Sequence, residues 1–499
     1  MARTAAPLPL PNVDVTALPI ELLRLICSAA DRRDFYSIAL SSRTLNDIIT
    51  PALYSFVNLD CPYTIYAFAR TVASPTIAMN RDIASLVEHL SIRDPDAWAG
   101  MSAFQTKHLS VVGRRLADAV PRMRRLRSIT CQIGISHTLQ IFTTLVSGSL
   151  RHLREIDIKL YYPFLSRAMR QADSEDPSLA VAVRGLKTLR LDWSGTPPAS
   201  YVSCMCSLLI DNHRTLQSLA IPHHAGVLKS VWRSVPSFPA LEELEISPDV
   251  LSEPAFQDTS TIRRFSVPEW NTFDDIEIPA PALPNLQDVT CFSRQLEAFL
   301  PEHTGHRRPI STVTLNHVTY ERTRSGGHYA VERRHLAHMW DSDIGPAVRA
   351  LRFSGASLRR LGIAVVELSV EALSDLAPLL KELEYLLIVL QDKPLGEEND
   401  DESLFSWAQV LSYMPRLHTF LLSDCALKTI SDGGPFEFAH DEVCQRRVLA
   451  VYDQHSSSLR RVAFTTEFEW EKKEDGWHPW GHIVAEREID SDGEDEDEQ

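Results

Sequence analysis

Long apolar runs are missing from this 499-residue chain. The densest, Leu383–Leu390, falls far short of the roughly 20 residues a bilayer-spanning helix needs. The N-terminal stretch MARTAAPLPLPNVDV has no continuous apolar core, which argues against a secretory signal. Cysteine is sparse: 8 residues, scattered at positions 27, 61, 131, 204, 206, 291, 425 and 444, which is no disulfide framework for a chain of this size. None of the asparagines opens an N-x-[ST] glycosylation site. These absences predict a reducing compartment, cytoplasmic or nuclear.

An excess of positive charge is missing too. Lys and Arg number 50 against 66 Asp and Glu, a formal charge of -16. A general binder of nucleic acid or of an anionic membrane leans the other way, so neither is expected as a partner. Much of the excess sits in residues 485–499 (AEREIDSDGEDEDEQ), which read as an acidic, disordered tail.

Catalytic signatures are also absent. There is no G-x-x-x-x-G-K-[ST], G-x-G-x-x-G, G-x-S-x-G or H-E-x-x-H. Cys204-Met-Cys206 is not a C-x-x-C pair and reads as two small residues buried in a helix. His223-His224 has no further ligands nearby and reads as rim histidines. No enzyme, cofactor or metal is expected. Arg114, Arg115, Arg122, Arg124, Arg125 and Arg127 form a basic cluster. It reads as a solvated helix face on the convex side rather than a docking site for an acidic or phosphorylated partner.

What is present is a recurring pattern, apolar-x-x-apolar-x-apolar. It begins at Leu126, Leu153, Leu186, Leu216, Leu241, Ile262, Leu286, Ile310, Leu358, Leu417 and Leu459, with Val87 and Leu383 as further members. The second and third positions are nearly always polar. Spacings from Leu216 to Ile310 lie within the 20–29 residues of leucine-rich repeats. Lead-ins recur as Pro-x-Leu (Pro239, Pro284, Pro415) and Ser-Leu-Arg (Ser149, Ser357, Ser458). Leu417-x-x-Phe420-x-Leu422-x-x-Cys425-x-Leu427 fits the whole leucine-rich pattern. One strand-plus-helix unit cannot bury its apolar faces alone, but stacked units can. The expected fold class is therefore α/β: a curved leucine-rich-repeat solenoid over residues 61–484, a horseshoe with parallel strands on its concave face. Insertions are expected near 320–345 (loop Arg324–Gly327) and 392–402. Between strand positions that point inward, the x positions would face the concave groove. Trp470, Trp477 and Trp480 are expected to cap the open core of the last repeat.

Ahead of the repeats, residues 1–16 read as a flexible leader and 17–60 as three short helices. Pro19 and Glu21 suit a helix start. Asp34 is placed to cap the second helix, and Pro51 to stop the third after Leu45, Ile48 and Ile49. The segment contains Leu18-Pro19-Ile20-Glu21-Leu22-Leu23-Arg24-Leu25-Ile26, then Asp34-Phe35, Ala39-Leu40-Ser41-Ser42-Arg43 and Leu53-Tyr54. In this order the motifs resemble an F-box, with Leu40 where Val is commoner and Tyr54 where Trp is commoner. With irregular repeats behind it, the chain resembles the F-box proteins numerous in filamentous fungi.

The resemblance implies a substrate-recognition subunit of an SCF-type (cullin-RING) ubiquitin ligase. The F-box would dock on the adaptor subunit and, through it, a cullin; the repeats would hold an unknown target protein. Residues matching the adaptor-binding part of the motif are Leu18, Pro19, Ile20, Leu22, Leu23, Ile26, Leu40, Leu53 and Tyr54. Strand positions facing the groove offer Asp157, Lys159, Arg190, Asp192, Trp193, Glu245 and Ser266 as target contacts. The alternative is a repeat scaffold for protein interaction outside any ligase. It separates from the first by whether Leu18–Tyr54 keeps an exposed apolar face.

Overall fold

The computed structural model describes residues 18–30, 34–60, 62–73, 82–93, 111, 113–132, 141–142, 144–146, 150–160, 182–193, 199–222, 229–235, 237–268, 276–279, 281–302, 307–316, 321–322, 329–330, 345–365, 379–390, 407–424, 442–464 and 469–480. The chain divides into two compact units, Met1–His224 and Ala225–Gln499.

The first unit opens with three helices, α1 (Ile20–Ala29), α2 (Phe35–Ser41) and α3 (Arg43–Ser55). Ser42 caps α3, its hydroxyl accepting the Leu45 amide at 3.1 Å. Two local expectations need correction. Asp34 makes no side-chain cap at α2. Pro51 does not end α3, which continues for another turn to Ser55. Proline inside a helix loses a backbone bond and crowds the preceding turn. Here the turn beyond it is tied to the next repeat, the Ser55 carbonyl accepting the Glu88 amide at 2.9 Å. That strand is β1 (Phe56–Leu59), followed by α4 (Pro62–Ala73). Next come β2 (His89–Arg93), β3 (Ser128–Gln132), β4 (Glu155–Leu160) and β5 (Thr188–Trp193), then α5 (Ala199–Asn212) and β6 (Ser218–Ile221). The strands pair in chain order and in parallel, so each repeat adds one strand beside the last.

The second unit continues in the same manner. After α6 (Lys229–Ser234), its parallel strands are β7 (Glu243–Ile246), β8 (Arg264–Ser266), β9 (Asp288–Cys291) and β10 (Thr312–Leu315). The insertion near 320–345 contains a short antiparallel ladder, β11 (Glu321–Arg322) with β12 (Tyr329–Ala330). α7 (Gly345–Leu351) leads back to β13 (Arg360–Val365), β14 (Tyr385–Leu390) and β15 (Thr419–Asp424). Then come α8 (Glu442–His455) and β16 (Arg461–Ala463), still parallel.

The apolar pattern explains the parallel strands of both units. Every first, fourth and sixth position of the repeats, from Val87 to Phe464, is at most 4% exposed. A parallel strand sends alternate side chains to one face, and these build the core. A second regularity sits where the strands begin. The residue after the first apolar position offers its carbonyl to two amides of the next repeat: Glu88 to Arg127 and Ser128, Arg127 to Arg154 and Glu155, Arg154 to Lys187 and Thr188. In the second unit Glu242, Arg263, Gln287, Ser311, Arg359, Glu384 and His418 do the same. The Ser55 carbonyl likewise accepts the Glu88 amide at 2.9 Å. Tyr54-x-x-Val57-x-Leu59 is thus a further copy of the pattern, overlapping the end of the helical segment.

The ladder ends in a hairpin, β17 (Glu469–Lys473) and β18 (Gly476–Trp480), which pairs antiparallel to β16. Trp470 is fully buried and its indole N–H donates to Gln445 Oε1 at 2.6 Å; the Arg446 guanidinium lies 4.7 Å over its ring. Trp470 and the nearly buried Trp477 close the last repeat as expected. The leader, the insertion at 392–402, His223-His224, Cys425, Leu427, Arg324–Gly327 and the acidic tail lie outside the described residues. Among the described residues, no helix is long and apolar enough to cross a membrane.

Candidate docking surfaces

The three N-terminal helices have a small core of their own. Cys27, Ala39 and Ile49 are buried, with Phe35, Ile38, Leu45 and Ile48 packed against them. In α1 the inner stripe is Leu23 and Cys27, one turn apart. Offset around the same helix, Leu22, Leu25 and Ile26 form a second apolar stripe, open to solvent, with Leu25 65% exposed. α2 repeats the arrangement. Ala39 faces inward while Tyr36 and Leu40, also one turn apart, are 66% and 68% exposed. A solvent-facing helix surface normally carries polar residues. These two helices are apolar on both sides.

The residues carried by the F-box resemblance fall into three groups. Pro19, Ile20, Leu22, Ile26 and Leu40 are exposed. Leu18, Leu53 and Tyr54 are half-buried, and Tyr54 occupies the first apolar position of the β1 repeat. Burial there pushes its phenol pKa up. Leu23, 1% exposed, belongs to the helical core. Leu25 and Tyr36 were not among the expected contacts. Their spacing to Leu22 and Leu40 was the available signal, since i,i+3 and i,i+4 neighbours share a helix face.

The target-contact candidates separate by unit. In the first, strand register sets Asp157 beside Arg190 and Lys159 beside Asp192, with Trp193 at the end of β5 in register with Leu160. Neighbouring strands thus place opposite charges side by side, an arrangement that stabilises a sheet. In the second, Glu245 is in register with Ser266. A column of small residues continues through Ser266, Thr290, Thr314 and Gly362. At the next strands the same column becomes Leu387 and Leu421, both buried, as are Ala364 and Val389. There the sheet is covered on both faces, so the x positions do not line an open groove along the whole repeat array.

The basic cluster is not a single helix face. Arg114 and Arg115 lie on a helical turn within 113–119, but Arg124 and Arg125 form the turn before β3 and Arg127 directly precedes that strand. Cys204 is buried and its thiol is pushed up to about 11 by burial, with Cys206 adding to the rise. It is a packed thiol, not a nucleophile. Among the described residues, no group of His, Cys, Asp and Glu is arranged to hold a metal ion.

No family model matches the chain. No curated protein matches it either. Among solved structures it is similar to a chain of the crystal structure of the Rad7 and Elc1 complex in yeast, at 15% identity and a TM-score of 0.34. The match covers 83% of this chain and 92% of that one. So loose a likeness carries no argument here, and the account rests on the chain's own residues.

Proposed function

We propose that this chain is the target-binding subunit of an SCF-type ubiquitin ligase, its N-terminal helices forming an F-box and its repeats a leucine-rich-repeat receptor. The observation that supports this is the pair of exposed apolar stripes, Leu22, Leu25 and Ile26 on α1 and Tyr36 and Leu40 on α2. Side chains of this size left in water on adjacent short helices are costly unless a partner covers them; each contributes about 1.5–3 kcal/mol when buried. A repeat scaffold without such a partner would turn these side chains against its own first repeats. Here the inward positions are already filled by Leu23, Cys27, Ala39 and Ile49.

In this reading the adaptor, and through it a cullin, binds the helical face. The repeats hold a target protein close to the ubiquitin-charged enzyme. The gain is positional: tethering raises the effective concentration of the target's lysines. The chain performs no bond chemistry itself, needs no cofactor, and works in the cytoplasm or nucleus. Co-purification of the tagged full chain with the ligase adaptor tests the proposal. A stable complex is expected; a folded chain that retains no adaptor contradicts it.

A further inference from the structure

The starts of four consecutive strands in the first unit share a sequence: Arg124-Arg-Leu-Arg127, Arg151-His-Leu-Arg154, Arg184-Gly-Leu-Lys187 and Arg214-Thr-Leu-Gln217. The parallel register aligns Ser128, Glu155, Thr188 and Ser218. Counting back the same number of residues, Arg124, Arg151, Arg184 and Arg214 occupy one equivalent position in each repeat. Arg127, Arg154 and Lys187 occupy a second. Adjacent strands are about 4.8 Å apart, so the first column runs for about 15 Å and the second for about 10 Å.

The backbone does not require arginine there. In the second unit the position equivalent to Arg124 is held by Pro239, Ser260, Pro284, Arg308, Ala356, Lys381, Pro415 and Ser457, on the same hydrogen-bonded ladder. Of these, Arg308 is buried and bonded to carbonyls. Stacked like charges oppose one another, so such a column is destabilising by itself. Acids relieve it in part: Glu88 pairs with Arg127 at 3.4 Å, and Asp211 pairs with Arg184. Arg154 Nη1 donates to the carbonyls of Arg151, Leu153 and Arg184, fixing its charge across two repeats. Gly185 lies beside that guanidinium at φ +74, a backbone conformation that favours glycine. Arg124, Arg125, Arg151, Lys187 and Arg214 are exposed, and none has an ion-pair partner among the described residues.

We infer that this edge of the first unit is a docking strip for an acidic stretch of polypeptide, in which successive carboxylates meet successive repeats. Its length suits a short extended segment rather than a long polyanion. The formal charge of -16 also repels a nucleic acid at long range. The inference does not depend on the adaptor reading, because it uses no residue of the N-terminal helices.

The test is fluorescence anisotropy of a labelled oligoglutamate peptide titrated with the full chain at low ionic strength. Comparison is with Arg124→Gln/Arg151→Gln/Arg214→Gln and with a control triple at exposed cations of the second unit, Arg359→Gln/Lys381→Gln/Arg416→Gln. Wild type and control should bind alike, and the first triple about tenfold more weakly, as expected for three lost charge contacts. Circular dichroism should be unchanged in both, since all six side chains are exposed. Absence of peptide binding by the wild type, equal loss in both triples, or tighter binding of a single-stranded oligonucleotide of matching charge would overturn the inference.

Discussion

Arg308 shows how much one side chain can hold. It is 3% exposed, and its guanidinium donates to the carbonyls of Ala282 (from Nε and Nη2, both 3.1 Å), Phe299 (2.6 Å) and Pro279 (3.2 Å). Burial pushes its pKa down, and carbonyl dipoles offset that cost. Its own carbonyl accepts the Gly355 amide at 2.9 Å, where a Cβ on Gly355 would press within 3.0 Å of the Arg307 and Arg308 carbonyls. Arg308→Met keeps the bulk but strands the Ala282 and Phe299 carbonyls, each costing about 1–2 kcal/mol, while the Pro279 carbonyl keeps the Ala282 amide at 2.8 Å. A loss of about 3 kcal/mol is expected by urea denaturation; a loss below about 1 kcal/mol would show that the carbonyls find other donors. Asp288 makes a pH prediction. Its half-buried carboxyl has a raised pKa, because burial outweighs the opposing pull of Arg264 and Arg360. A raised carboxyl favours the fold in its protonated form, so that contribution is present below the ordinary value of 3.8 and lost as pH rises through the folded value. Asp288→Asn should therefore melt higher than wild type at pH ~7 and equal to it below pH ~3.5. A variant that melts lower at neutral pH would mean the arginine contacts dominate.

At the scale of elements, the repeat pattern was legible because a parallel strand converts a two-residue period directly into burial. The first, fourth and sixth positions of each repeat read from the sequence lie in the core. The boundaries were less legible. β1 was hidden because Tyr54 closes the F-box pattern and opens the first repeat at once. Pro51 sits inside α3 because tertiary packing overrides a local breaker. The terminal tryptophans signalled a cap, but nothing in their spacing announced an antiparallel hairpin. That hairpin makes its own prediction. Trp470→Ala removes a fully buried indole and its bond to Gln445, and should cost about 3–5 kcal/mol. Lys472→Ala removes the partly exposed pair with Asp453 and a distant contact with the Trp477 ring, 5.8 Å to its centroid, and should cost about 1 kcal/mol. Equal thermal shifts in the two variants would show that the hairpin is not seated on the last repeat.

Across the whole molecule, the two docking surfaces differ in how they could be read. The helical stripes were partly visible as Leu22, Ile26 and Leu40, which the F-box resemblance singles out, while Leu25 and Tyr36 follow only from helix spacing to them. The arginine columns were not, because their alignment depends on strand register, and in sequence they look like one local cluster followed by scattered cations. The apolar stripes carry the central claim. The measurement that tests it most directly is the affinity of the ligase adaptor for the purified full chain by calorimetry, beside Leu25→Glu/Leu40→Glu. The control is Tyr413→Glu/Val443→Glu, at exposed apolar residues of the second unit. The account predicts that wild type and the second-unit control bind equally, while the helix variant, unchanged in thermal stability, loses at least about a hundredfold in affinity. Undiminished binding by that variant, or no binding by the wild type, would contradict it.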